Sequence, residues 1–223
     1  MRLLKRKSRT FEIQVQDMTL HIQAATDVDE ESRAAALSFW ELLHTYSIRN
    51  PEFSSSKRPV RVPGEAPEIV REIASTAGRA GVGPMFSLQG AVTDHVGRFL
   101  AREVNEVTVN CGGDYFIRSR RRQKLTVLRR PGSSVAVVVP ANRQGLGVSM
   151  TLGHGRSEVD GLAVLAESCM LAGAAAAGVQ AILTKENGLH GALTYLKQVT
   201  GVIGGVVFLG ERIGMAGGLE LAA

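Results

Sequence analysis

The chain has 223 residues, 44% of them hydrophobic and 5% aromatic, with 25 glycines and a net charge of +5. That length carries one large domain or two small ones with a core of ordinary size, and the composition excludes a disordered chain. Two cysteines, Cys111 and Cys169, form neither a disulfide framework nor a metal-ligand spacing, which points to a reducing cytoplasm. The opening MRLLKRKSRTFEIQ is basic but has no apolar run behind it, so no signal peptide is expected.

FEIQVQ (11–16) and TLHIQA (19–24) each alternate strictly and predict a hairpin with one wet face. The period then changes. DEESRAAALSFWELLHTYSI places Ala36, Phe39, Trp40 and Leu43 at helical spacing behind an acidic start. RNPEFSSSKRPVRVPGEAP, with four prolines, reads as a connector. APEIVREIASTAGRAG resumes as a helix ended by Gly78 or Gly81, and a second helical stripe runs from about Phe86 to Val104. Strands follow at EVTVN, YFIRS, KLTVLRR, SVAVVVP, GLGVSM and DGLAVLA. A small-residue helix is predicted from Glu167 to Leu183, and another carries Leu189, Leu193, Leu196 and Val199. VIGGVVFLG and GMAGGLELA close the chain as strands. Hairpins alternating with helix pairs predict an α+β fold, antiparallel sheet with helices on one face. The stretch 162–183 reads as a buried strand followed by a packed helix, interrupted by Glu167, rather than as a membrane span.

Three stretches carry candidate chemistry. In GVGPMFSLQGAVTDHVG (81–97), Gly83 and Pro84 form a pre-set entry into a helix whose first-turn amides lack intrahelical partners, a default anion site. Gly90 stands mid-helix, where glycine costs about 1 kcal/mol against alanine. It makes room either for a neighbouring element or for a ligand's phosphate or ring edge, with Asp94 four residues on. In VTVNCGGD (107–114), Asn110 offers donor and acceptor, Gly112 and Gly113 admit positive φ, and Asp114 can accept from a ring N–H or a ribose hydroxyl. A hairpin turn alone would need no more than the two glycines and the aspartate. In GLGVSMTLGHG (145–155), Ser149, Thr151 and His154 are polar candidates on a strand and its exit. A Ser149–His154 triad with Asp114 or Asp160 can be drawn on paper, but nothing in the spacing requires it. Asp114, His154 and Asp94 are the acid/base candidates.

The basic charge clusters in Arg2–Arg9 and in RSRRRQK (118–124), without interleaved aromatics. A solvated tip is the plain reading and nucleic acid an unlikely partner. A small anion is the next candidate.

These stretches, with RNPEF (49–53), AP-IV (66–70), AGVGPM (80–85) and GLEL (218–221), resemble the ApbE-like superfamily, in particular a cytosolic branch of it with no assigned substrate. The superfamily's known members are Mg²⁺-dependent flavin transferases that attach FMN to a Ser or Thr of a partner protein. The resemblance implies a T-fold of antiparallel sheet backed by helices, spanning residues 11–223 after a basic segment at 1–10, with a ligand cleft between two related halves. It implies nucleotide-pocket roles for Gln89, Gly90 and Asp94 and for Asn110, Gly112, Gly113 and Asp114. The family's lysine is Gln89 here. Its ADA-x-AT pattern, whose Asp and Thr hold Mg²⁺, reads AGAAAA, with Gly173 and Ala177 at the ligand positions. Neither supplies the oxygens Mg²⁺ demands. The expectation is a small heterocyclic or nucleotide-like ligand, flavin or a relative, bound without Mg²⁺ by Gly83, Pro84, Gln89, Gly90, Asn110, Gly112, Gly113, Ser149 and Thr151. A non-catalytic interaction protein on the same scaffold, with a homo-oligomer open to it, is the alternative.

Overall fold

The computed structural model describes residues 8–26, 28–129, 133–151, 159–184 and 188–222. Strands β1 (Arg9–Val15) and β2 (Met18–Ala24) form the expected hairpin, and β2 buries every second residue from Met18 to Ala24. The helix α1 (Asp29–Arg49) follows, with three acidic residues in its first turn. The proline-rich connector hides a short helix, α2 (Pro51–Ser55), whose Phe53 is 1% exposed and packs in the core. One aromatic anchor thus ties down a segment that composition marks as loop.

Helix α3 (Glu68–Ala80) stops at Gly81, which takes the left-handed conformation (φ 69°) that closes many helices. The expected stripe from Phe86 divides in two: a single 3-10 turn at Pro84–Ser87, then α4 (Leu88–Leu100). Pro84 at the first helical position explains the tight start. Four strands and a long return follow: β3 (Val107–Cys111), β4 (Asp114–Ser119), β5 (Gln123–Arg129), β6 (Ser133–Val139) and β7 (Asn142–Thr151). Then come β8 (Gly161–Ala166), α5 (Cys169–Leu183), α6 (Gly188–Gln198), β9 (Val202–Leu209), β10 (Arg212–Gly217) and β11 (Glu220–Ala222).

The eight-stranded antiparallel sheet has the order β1-β2-β3-β4-β7-β8-β9-β10. Helices α1 and α4 lie on its first half and α5 and α6 on its second. The opposite face of the central strands is covered too. The sheet β11-β6-β5 places Val127, Val137 and Val139 against Ile117, Val148, Leu165, Val206 and Phe208. That double cover is why β8 is buried along its whole length and shows no alternation. The last segment was expected as one strand. Instead, Gly217 (φ 70°) turns the chain, so that β10 ends the large sheet and β11 joins the small one. The α+β class and antiparallel architecture stand. Among the described residues no helix is long and apolar enough to cross a membrane.

Candidate functional site

The β3–β4 turn is a two-residue loop in which Cys111 pairs with Asp114 and both Gly112 (φ 58°) and Gly113 (φ 99°) have positive φ, the pattern of a type I′ hairpin. Asn110 holds it from inside, its Oδ1 accepting from the Gly113 N–H at 3.2 Å. The strand ladder carries on past the turn, because the Met150 N–H donates to the Gly113 carbonyl at 2.9 Å. Asp114 therefore starts β4 facing inward, 7% exposed, opposite Ser149 of β7. Its carboxyl accepts from the Ser149 hydroxyl and from the Gly90 N–H in the first turn of α4. Burial pushes its pKa up to about 7 and the nearby Asp94 adds to the rise, against the two hydrogen bonds.

Asp94, one turn further along α4, faces the second half of the molecule. Its two oxygens accept from the backbone N–H groups of Cys169 and Met170, each at 2.8 Å. It caps α5 from another helix, while Ser168 accepts the Leu171 N–H in the usual way. Burial raises the Asp94 pKa to about 6 despite these donors. His95, beside it in sequence, points elsewhere and meets Glu72 at 3.1 Å.

The bare glycine backbone is met by this chain's own atoms. A Cβ at Gly90 would lie 2.5 Å from the Cys169 carbonyl oxygen, at Gly113 2.4 Å from that of Met150, and at Gly83 1.9 Å from that of Ser56. Gly112 lies under the side chain of Gln89. These glycines bring α4, α5, β7 and the turn into contact, and the Gly90 N–H, one of the free amides expected to take an anion, is held by Asp114.

The structure brings Asp114, Ser149, Gln89, Gly90, Gly112, Gly113 and Asn110 together at one junction, with Asp94 one turn away. Gly83 and Pro84 form the entry to that junction, and Thr151 ends β7. His154 lies outside the described residues. The structure adds two residues that the sequence does not single out, Phe86 and Ser87. The Phe86 ring is 46% exposed while its carbonyl oxygen would be 3.4 Å from a Cβ at Gly173. The Asp114 Oδ2 would be 3.1 Å from that same point. The Ser87 hydroxyl is buried with no hydrogen-bond partner among the described residues. An aromatic just inside a Gly-x-Gly-Pro helix entry was the available signal for Phe86.

Position 173 also decides how well a Mg²⁺ ion fits. The oxygens that converge there are one carboxyl, already bonded to Gly90 and Ser149, and one carbonyl. Gly173 and Ala177 add none, and among the described residues no group of three or more His, Cys, Asp or Glu side chains converges. Near-octahedral oxygen coordination does not fit this set.

The fold is similar to that of solved flavin-transferase structures. The apo flavinyl transferase ApbE of Pseudomonas stutzeri superposes with a TM-score of 0.61 at 15% identity, covering 97% of this chain and 96% of that one. The ApbE protein of Thermotoga maritima gives 0.58 at 10% identity, covering 94% and 97%. In sequence, a UPF0280 protein of Methanopyrus kandleri is 29% identical over 92% of this chain and 88% of its own length. A UPF0280 protein of Methanosarcina acetivorans is 27% identical over 90% and 80%. The family described as AbpE bacteria matches residues 1–190. On that match the chain belongs to the AbpE bacteria family, within the ApbE-like superfamily whose fold it shares.

Proposed function

We propose that the chain binds a flat heterocycle, flavin or a flavin-like nucleotide, at the junction of the β3–β4 turn, the Pro84 helix entry and α5, without Mg²⁺-dependent flavin transfer. The observation that carries this reading is the pairing at Phe86. Its ring stands in solvent as a stacking surface, and its carbonyl converges with the Asp114 carboxyl on Gly173. A ring edge with adjacent donor and acceptor positions suits a carbonyl beside a carboxyl. With its pKa raised to about 7, Asp114 is present in both protonation forms near neutrality, which suits an acid/base partner to such an edge. Asp94 has both oxygens committed to α5 and serves to position the junction. Ser149 orients Asp114, Asn110 and the two glycines set the turn, and Gln89, Gly83 and Pro84 set the helix entry. Thr151 ends β7 beside this junction.

The fold likeness to flavinyl transferases supports the ligand class, and the oxygen-poor surroundings of Gly173 support the absence of metal chemistry. The test is a thermal-shift titration of the purified protein with FMN, FAD, pterins and purines, with and without Mg²⁺. Stabilisation by at least one of them, independent of Mg²⁺ and weakened by Asp114→Asn, is expected. No shift with any of them at millimolar concentration, or a shift that requires Mg²⁺, overturns the reading.

A further inference from the structure

A second cleft of about 630 Å³, which Asp94 also lines, opens between α3, the end of α4, the start of α5 and the β4–β7 edge. Its walls alternate in charge. Arg98 is spent on Glu72, with Nη2 to Oε2 at 2.8 Å, and Arg79 is paired with Glu167. The start of α5 offers nothing to an anion, because its first amides are held by Asp94 and Ser168.

Two opposite charges in this wall form no ion pair among the described residues. Arg71 uses Nε to hold the Ala66 carbonyl at 3.0 Å, and its terminal nitrogens have no acceptor among the described residues. Glu68, three residues earlier on the same helix, lies close enough to Arg98 to raise its pKa but accepts no hydrogen bond among the described residues. Residues three apart on a helix stand about 5–6 Å apart at Cβ, yet these two do not pair. The Gln144 side chain stands on the facing rim. Next to it, Gly145 is fixed at φ 101° by the Asn142 side chain, which accepts its N–H at 2.9 Å, so the rim is preformed. Met170 and Phe116 supply apolar floor.

We propose that this cleft is a second ligand site, taking a small zwitterion of the amino-carboxylate class, with Arg71 on the carboxylate and Glu68 on the ammonium. A guanidinium with free terminal nitrogens grips a carboxylate bidentately. The paired walls contribute no net charge, so a dianionic phosphate would face Glu68, Glu72, Glu167 and Asp94 with one lining cation, Arg71, outside an ion pair among the described residues. A simple amine would face the guanidiniums in the same way. The ligand side chain lies over Met170 and Phe116. This inference does not depend on the proposed flavin-like site, which lies at Phe86 and Asp114.

The experiment is isothermal titration of the full chain with the common amino acids, with the corresponding amines and deaminated acids, and with inorganic phosphate. At least one amino acid is expected to bind saturably, and its amine and its acid about tenfold or more weakly. Arg71→Gln and Glu68→Gln are each expected to weaken binding about tenfold or more; both residues are exposed, so Glu68→Gln should leave the melting temperature unchanged and Arg71→Gln should lower it only by the loss of its bond to the Ala66 carbonyl. FMN or pterin binding should be unaffected in these variants, which separates this site from the other. No saturable amino acid binding at millimolar concentration overturns the proposal. So does phosphate binding as tightly as any amino acid, or affinity indifferent to both variants.

Discussion

The Asp94 carboxylate accepts the backbone N–H of Cys169 at 2.8 Å, and so joins the middle of α4 to the first turn of a helix 75 residues later. A second bond to Met170 completes the cap. Asp114 does the same for α4, through the Gly90 N–H. Two buried acids of the first half thus hold the first turns of α4 and α5, and the candidate site lies between the two caps.

Removing the first cap should be costly. Asp94→Ala leaves two buried amides without acceptors, each worth about 1–3 kcal/mol. A loss of about 2–4 kcal/mol in urea denaturation is expected, with far-UV circular dichroism retained before the transition. Asp94→Asn keeps one carbonyl acceptor but turns an N–H donor toward the other amide, so it should fall between wild type and alanine. A loss below about 0.5 kcal/mol in Asp94→Ala would show that water replaces the carboxylate.

The same acids set the pH dependence. Burial raises Asp94 to about 6 and Asp114 to about 7, so the folded state favours their protonated forms. Their stabilisation is complete below the ordinary carboxyl range near 3.8 and is lost as pH climbs through about 6 and about 7. Glu72 runs the other way. Its bond to His95, aided by Arg98, pulls it down to about 2 against partial burial, so its contribution is full above the ordinary 4.5 and fades as pH falls through about 2. For these groups stability should peak just below pH ~4 and decline toward neutrality. Asp114→Asn, which cannot ionise, should remove most of the decline between pH ~5 and ~7, by about 2–4 kcal/mol. Denaturation midpoints of both proteins across that range check this, and parallel profiles would refute it.

Much of this was legible because it is local. The alternation in FEIQVQ and TLHIQA, the acidic start of α1 and the closing Gly81 each report on neighbours a few residues away, and all match the structure. The Gly112-Gly113 turn was legible for the same reason. What Gly90 and Gly113 make room for was not. Their partners, Cys169 and Met150, lie 79 and 37 residues further on, and nothing local distinguishes a glycine that admits a ligand from one that admits a helix. Phe53 hid for a related reason, since a serine- and proline-rich setting says nothing about one side chain reaching the core.

Two glycines within helices should respond oppositely to alanine. At Gly90 the new Cβ would meet only backbone, the Cys169 carbonyl at 2.5 Å and the Met170 nitrogen at 2.8 Å. Neither can swing away, so α4 and α5 must separate. The gain in helix propensity of about 1 kcal/mol is outweighed, and a net loss of about 1–3 kcal/mol follows from overpacking. At Gly78, in α3, nothing lies within 4 Å of the new atom. Gly78→Ala should stabilise by about 0.5–1 kcal/mol. Melting temperatures of the two variants moving in the same direction would contradict the packing described for α4 and α5.

Phe86 offers the sharpest separation of binding from stability. Its ring is 46% exposed, so truncation to alanine removes modest packing and should cost less than a buried phenylalanine's usual loss of about 3–5 kcal/mol. If a flat heterocycle stacks there, losing the platform removes about 1–3 kcal/mol of binding, the range measured for bases on aromatic side chains. Phe86→Ala is therefore expected to weaken FMN or pterin binding by about tenfold to a hundredfold, followed by quenching of ligand fluorescence. Phe86→Tyr should retain most of the affinity, because the stacking face survives. Full affinity in the alanine variant, alongside a loss in Asp114→Asn, would place the ligand against the carboxyl but away from the ring.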